Sequence, residues 1–252
     1  MRRLLSTLLS AVVLLDSPAA RAADEDAKAI LVKAVKAHGG EEALTKYKAA
    51  RSKAQGKLVI PGAGEVNFTQ EVALMQPDKF KESMELDIGG QKITVVTVAN
   101  GENVFIEAAG KEVPITAAIK DELKNAQFVM KAGRMVTLLT DKSFELSSLG
   151  EVKVEGKPAV GVRISSKGYK DLSLYFNKDT GLLAKVERRG SDPSSGKEFT
   201  EERIVLEYNK PNAEGLPTPK KVLVKRDGAK FLEAEVLETK FLEKIEDAEF
   251  KK

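Results

Sequence analysis

Apolar and polar residues alternate with a period of two through most of this chain. Phe80, Met84, Leu86 and Ile88 interleave with Lys81, Ser83, Glu85 and Asp87, and Leu172, Leu174 and Phe176 with Asp171, Ser173 and Tyr175. Successive side chains of a strand point to opposite faces. The pattern therefore predicts antiparallel strands with one face on a core and the other in water. Arg51 to Ile60 runs into the turn Pro61-Gly62-Ala63-Gly64, and Glu65 to Met75 returns with Val66, Phe68, Val72 and Leu74 on one face. Gln76-Pro77-Asp78, Gly89-Gly90, Asn100-Gly101 and Gly110-Lys111 separate the next segments with turn chemistry. After Asp141 the alternation resumes in short pieces, Phe144 to Leu149, Val152 to Val154 and Ala159 to Ser165. It continues from Lys170 to Asn177, Leu182 to Arg189, Glu198 to Tyr208, Lys220 to Arg226 and Lys230 to Phe241. About eleven to thirteen strands in one curved, one-faced sheet are expected.

The period lengthens to that of a helix in two places. Asp24 to His38 carries the stripe Ile30, Leu31, Ala34 and Val35, stops at Gly39-Gly40, and is followed by a short helix from Glu41 to Tyr47. Between Ile115 and Leu139 the stripe is Ile119, Leu123, Ala126 and Met130. The expected fold class is α+β and mainly β. It is a single antiparallel half-open barrel with an N-terminal helix and one inserted lid helix on its concave face.

The beginning of the chain reads differently. Arg2 and Arg3 precede an apolar run from Leu4 to Leu15, and Ala20-Arg21-Ala22 supplies small residues at a cleavage site. This is the pattern of a cleaved export signal covering residues 1–22, too short in its apolar part to span a bilayer. Residues 23–252 then form one domain, expected as a soluble periplasmic monomer. The chain has no cysteine. That removes disulfides and an acylated N-terminal cysteine, so stability rests on burial. The 41 basic and 38 acidic residues become 38 and 37 once Arg2, Arg3, Arg21 and Asp16 are removed. Near-neutrality gives no reason to expect nucleic acid as a partner. Lys220, Lys221, Lys225, Arg226 and Lys230 read as a solvated strand face.

Candidate chemistry is sparse. His38 is the single histidine, placed where an imidazole caps the last carbonyls of the first helix. Without cysteine or a second histidine the usual zinc sets are missing, and no G-x-S-x-G elbow is present. Asn177-Lys178-Asp179-Thr180-Gly181 lacks the terminal glutamate of a calcium loop and reads as a hairpin turn. Glu201 and Glu202 would point to opposite faces of a strand, a poor geometry for paired acid and base.

Several phrases are similar to those of the lipoprotein-carrier (LolA/LolB-like) superfamily of outer-membrane lipoprotein-sorting proteins. They are Ala37-His38-Gly39-Gly40, Gln76-Pro77-Asp78-Lys79-Phe80, Val154-Glu155-Gly156-Lys157-Pro158 and the run from Leu174 to Leu183. The ending from Phe241 to Phe250 also fits. The order of helices and strands resembles that family over nearly the whole chain after the signal. The resemblance implies a half-open barrel that carries acyl chains or other hydrophobic cargo across the periplasm without catalysis and without a cofactor. The chain lacks the lipobox cysteine of the membrane-anchored branch.

A hydrophobic ligand or a lipidated protein is thus the expected partner. Its wall is expected from Phe68, Val72, Met84, Leu86 and Leu174, with Ile119, Leu123 and Met130 on the lid. Solid packing is the competing account of the same residues. The alternative function is an envelope protein-interaction or stress-sensing module using the same sheet. An enzyme is not expected. Nothing in the sequence selects the ligand.

Overall fold

The computed structural model describes residues 18–252 except residue 213, with side chains of the first helix from Asp26 onward. The charged and apolar parts of the expected export signal lie outside the described residues. Helix α1 (Pro18–Ala37) leads to α2 (Gly40–Lys46). A first meander follows: β1 (Ala49–Ile60), β2 (Gly64–Met75), β3 (Lys79–Ile88), β4 (Gln91–Asn100), β5 (Asn103–Ala108) and the two-residue β6 (Lys111–Glu112). Helices α3 (Ala117–Ala132) and α4 (Val136–Thr140) then interrupt the strands. The second meander is β7 (Glu145–Val154), β8 (Lys157–Ser165), β9 (Leu172–Asn177), β10 (Leu183–Ser191), β11 (Glu198–Tyr208), β12 (Pro219–Arg226) and β13 (Ala229–Leu242). A single 3-10 turn, Asp247–Phe250, closes the chain.

All thirteen strands form one antiparallel sheet in the order β6-β5-β4-β3-β2-β1-β13-β12-β11-β10-β9-β8-β7. The first and last strands pair along nearly their whole length, from Ala49 opposite Leu242 to Leu58 opposite Leu232. The two free edges, β6 and β7, therefore belong to mid-chain, and α3 and α4 are the connection between them. This is a curved sheet left open along one seam, with helices set at that seam. Gly56 in β1 permits the bend: a Cβ there would lie 2.0 Å from the Glu233 carbonyl oxygen.

The helices pack on one face, called here the inner face. Ala27, Leu31, Ala34 and Val35 of α1, Phe128 and Ala132 of α3, and Leu138 of α4 share a core with Val162, Ile164, Leu172, Leu174 and Phe176. On the opposite face, Ile245 and Phe250 of the C-terminal segment cover Ala49, Ala73, Met75 and Val98. Among the described residues, no helix is long and apolar enough to cross a membrane.

The elements differ from expectation in four places. The lid helix expected over Ile115 to Leu139 is two helices. Met135 takes φ of 55°, which breaks the α-helix and turns Met135 and Leu138 into the core. Helix α1 starts at Pro18 rather than Asp24. The pieces Phe144–Leu149 and Val152–Val154 are one strand, β7, bent by a bulge between Ser148 and Gly150. The short β6 pairs with β5 through Glu107 and Ala108, and its two charged residues carry no alternation to betray it.

Candidate ligand-binding face

Helix α3 spans the open seam and is tied to both meanders by polar side chains. The Gln127 amide nitrogen donates to the carbonyls of Asp78 and Gly101, 2.9 Å each, in the β2–β3 and β4–β5 turns. Gln76 returns a bond of 2.8 Å to the carbonyl of Met130. On the other side Asn125 accepts from the backbone N–H of Lys170 at 3.2 Å, and Lys124 donates to the Gly168 carbonyl at 2.9 Å. Phe128 stacks between Phe144 and Tyr169, with ring centroids 5.9 and 4.5 Å away. Apolar packing anchors α3 to the second meander, and hydrogen bonds hold it to the turns of the first.

The helices cover only part of the inner face. Direct cross-strand partners share a face, so the register traces this surface across the sheet. One row runs Val162, Leu174, Val186, Arg203, Val224, Leu232, Leu58, Val66 from β8 to β2. The next row runs Val205, Val222, Ala234, Gly56, Phe68, Leu86, Ile93 from β11 to β4. The part from β8 to β10 lies in the core beneath the helices. From β12 to β4 a separate cluster forms: Val66, Phe68, Leu86 and Ala234 are buried, with half-buried Leu58, Ile60, Met84, Ile88, Val95 and Leu232 around them. Among the described residues, no helix side chain belongs to that cluster.

Of the eight predicted ligand residues, the structure places Phe68, Met84 and Leu86 together in this helix-free cluster. Val72 is on the same face but in a polar band. It stands between Ser52 and Glu82 in the register, and Gln70 donates a hydrogen bond to Glu82. Leu174, 0% exposed, lies in the other cluster, under Phe128 and α1. Ile119, Leu123 and Met130 are half-buried on α3 and are members of neither cluster. Two cavities lie elsewhere. One of about 460 Å³ is bounded by Pro158, Leu182, Ile204 and Tyr208, and one of about 390 Å³ by Lys28, Leu139 and Phe144. Of the predicted wall residues, only Phe68, Met84 and Leu86 share one stretch of the inner face.

A charged chain marks the border between covered and uncovered parts. Arg188 pairs with Glu122 of α3 at 2.6 Å and with Glu201 at 3.0 Å, and Arg226 pairs with Glu201 at 3.1 Å. The Arg226 guanidinium is sandwiched by Phe231 and Phe199, 3.6 and 4.2 Å from the ring centroids. Burial pushes the Glu201 carboxyl upward, but Arg188, Arg203 and Arg226 outweigh it and hold the group below its usual range. Among the described residues no three carboxylate or imidazole groups gather as a metal site. Sequence reading missed this cluster. Its signal was the parity of Phe199, Glu201, Arg203 and Val205, but an alternating charged strand does not reveal which face is inner.

His38 bonds the helix carbonyl expected of it, with Nδ1 2.8 Å from Ala34 O, and does more. The backbone N–H of Leu183 donates to its Nε2 at 3.3 Å, clamping α1 to β10. Tyr208 meets the ring edge-on and donates to the Leu183 carbonyl. With Nε2 accepting, the imidazole is neutral, and burial lowers its pKa. It is a clamp rather than a cation complementing the helix dipole.

The sequence matches no protein-family model and no curated protein. Solved structures do match in shape. An outer membrane lipoprotein-sorting protein domain from Vibrio parahaemolyticus aligns at a TM-score of 0.51 and 11% identity, covering 90% of this chain and 97% of its own. A DUF1329 family protein from Desulfovibrio piger aligns at 0.54 and 13%, covering 89% and 97%. A LolA superfamily protein from Nitrosomonas europaea aligns at 0.54 and 11%, covering 90% and 97%. This chain has the LolA-like fold, a curved half-open antiparallel barrel with helices.

Proposed function

We propose that the protein is an exported, non-catalytic binding or carrier protein of the periplasm, with residues 23–252 as its functional domain. Its ligand is hydrophobic: a lipid, an acyl chain or a lipidated protein. The observation that carries this reading is the helix-free cluster around Phe68, Met84, Leu86, Leu58 and Leu232, apolar yet half-open to solvent. Half-buried apolar side chains ranged along one face of an open sheet are the kind of surface a hydrophobic ligand uses. The solved lipoprotein-sorting domain of the same fold supports the choice of cargo class. Ile119, Leu123 and Met130 of α3 remain the proposed lid side. Burying an acyl chain here gains about 0.8 kcal/mol per methylene, enough for micromolar binding with a medium-length chain.

The test is purification from the periplasm without detergent, followed by extraction and mass spectrometry. Wild type should carry an amphiphile, and Leu58→Glu, at a half-buried position, should fold and be empty. An empty wild-type protein that also fails to bind fluorescent fatty acids would reject the carrier reading. It would favour the interaction-module alternative.

A further inference from the structure

Arg203 is the one charged residue in the row of cross-strand partners that runs over the inner face from Val162 to Val66. It stands between Val186, the last residue of the helix-covered core on this row, and Val224, which is buried but outside that core and leads to half-buried Leu232 and Leu58. Its side chain is exposed and makes no direct hydrogen bond or ion pair among the described residues, acting on Glu201 only through its charge. The nearby carboxylates are already committed. Glu201 accepts from Arg188 through Oε1 and from Arg226 through Oε2. Glu122 accepts from Arg188 and from the Ser191 N–H. Three arginines thus share two carboxylates, and Arg203 is the one of the three without a direct carboxylate contact.

A guanidinium at the head of an apolar track has a chemical complement. Arginine binds planar or tetrahedral oxyanions through paired N–H donors. Beyond it, Val224, Leu232, Leu58 and Val66 occupy β12, β13, β1 and β2 in succession. Four strand spacings of about 4.8 Å give a track of about 19 Å, the reach of a long extended acyl chain. We propose that the ligand of this face is an acidic amphiphile, with a carboxylate or phosphate head paired to Arg203 and a tail laid across β12, β13, β1 and β2. The proposal rests on the carrier reading above and names its ligand class.

The test compares hexadecanoate with hexadecanol, and with hexadecyl phosphate, on the delipidated mature protein at pH 8 by calorimetry. Wild type should prefer each acid over the alcohol by about tenfold, and the preference should shrink as salt is raised. An increment seen with hexadecanoate or hexadecyl phosphate alone identifies the head. Arg203→Gln should erase the preference, and Arg203→Glu should transfer it to hexadecylamine. Equal binding of acid and alcohol by wild type, or a preference that survives in Arg203→Gln, overturns the Arg203 assignment and leaves the carrier reading standing. Binding of none of these probes overturns both.

Discussion

The two halves of the inner face carry the same alternation and have different fates. Under the helices, Val162, Ile164, Leu172, Leu174 and Phe176 are at most 1% exposed and pack against α1, α3 and α4. Across the border, Phe68 and Leu86 are buried, but Leu58, Met84, Val95 and Leu232 around them are half-open. Both halves belong to one continuous antiparallel sheet, so the difference lies in what covers them. The helices come from the ends and the middle of the connectivity: α1 precedes β1, and α3 and α4 join the two free edges. Both sources dock on the second meander. The first meander is left with an apolar face and polar latches, the surface on which the proposed ligand would lie.

Truncation in the two halves should separate them most. Phe176→Ala, in the covered half, should cost about 3–5 kcal/mol because its cavity cannot collapse under the helices. Met84→Ala, half-buried in the uncovered half, should cost about 1 kcal/mol or less. Urea denaturation of the ligand-free protein measures both. Similar losses at the two positions would erase the distinction.

The border should come next in size. Glu201→Gln leaves two arginines without their shared carboxylate and should cost about 2–4 kcal/mol in the same assay. The pKa of Glu201 is held below its ordinary value of 4.5. Its stabilisation is therefore complete above that value and is lost as pH falls through the folded pKa. The variant should show a flatter acid limb than wild type in melting curves.

His38 gives the smallest expected change. Its folded pKa is below the ordinary 6.5 because burial disfavours the cation. The unfolded chain then binds the proton first, so the His38 contribution is present above about pH 6.5 and declines as pH falls below it. His38→Gln keeps at most part of the clamp. It should cost about 1 kcal/mol at pH 8 and remove the decline between pH 7 and 5. A wild-type melting temperature flat across that interval would contradict the neutral clamp.

Most of the fold was legible because alternation and turn chemistry are local. The hairpins at Gly89-Gly90 and at Asn177 to Gly181 and the switch of period near Ile115 are written in consecutive residues. The break between α3 and α4 was not, since a positive φ at methionine has no local signature, and Met135 and Leu138 meet their core partners only in the folded chain. The site was legible in kind and only partly in place. Phe68, Met84 and Leu86 share a cluster because they share a parity on paired strands. Leu174 has the same parity on another strand, and only the docking of α1 and α3 puts it in the core. Arg203 reads as an ordinary exposed residue until the register places it between two valines on the inner face.

The absence of cysteine from the sequence permits a direct measurement of where the ligand lies. Leu58→Cys places a single thiol on the uncovered inner face, and Lys57→Cys places one on the opposite face of the same strand. Each is labelled with a maleimide in the presence and absence of saturating hexadecanoate. Hexadecanoate should slow labelling at position 58 at least about tenfold and leave position 57 at its original rate. Binding of hexadecanoate with unchanged labelling at position 58 would place the ligand elsewhere and contradict the account.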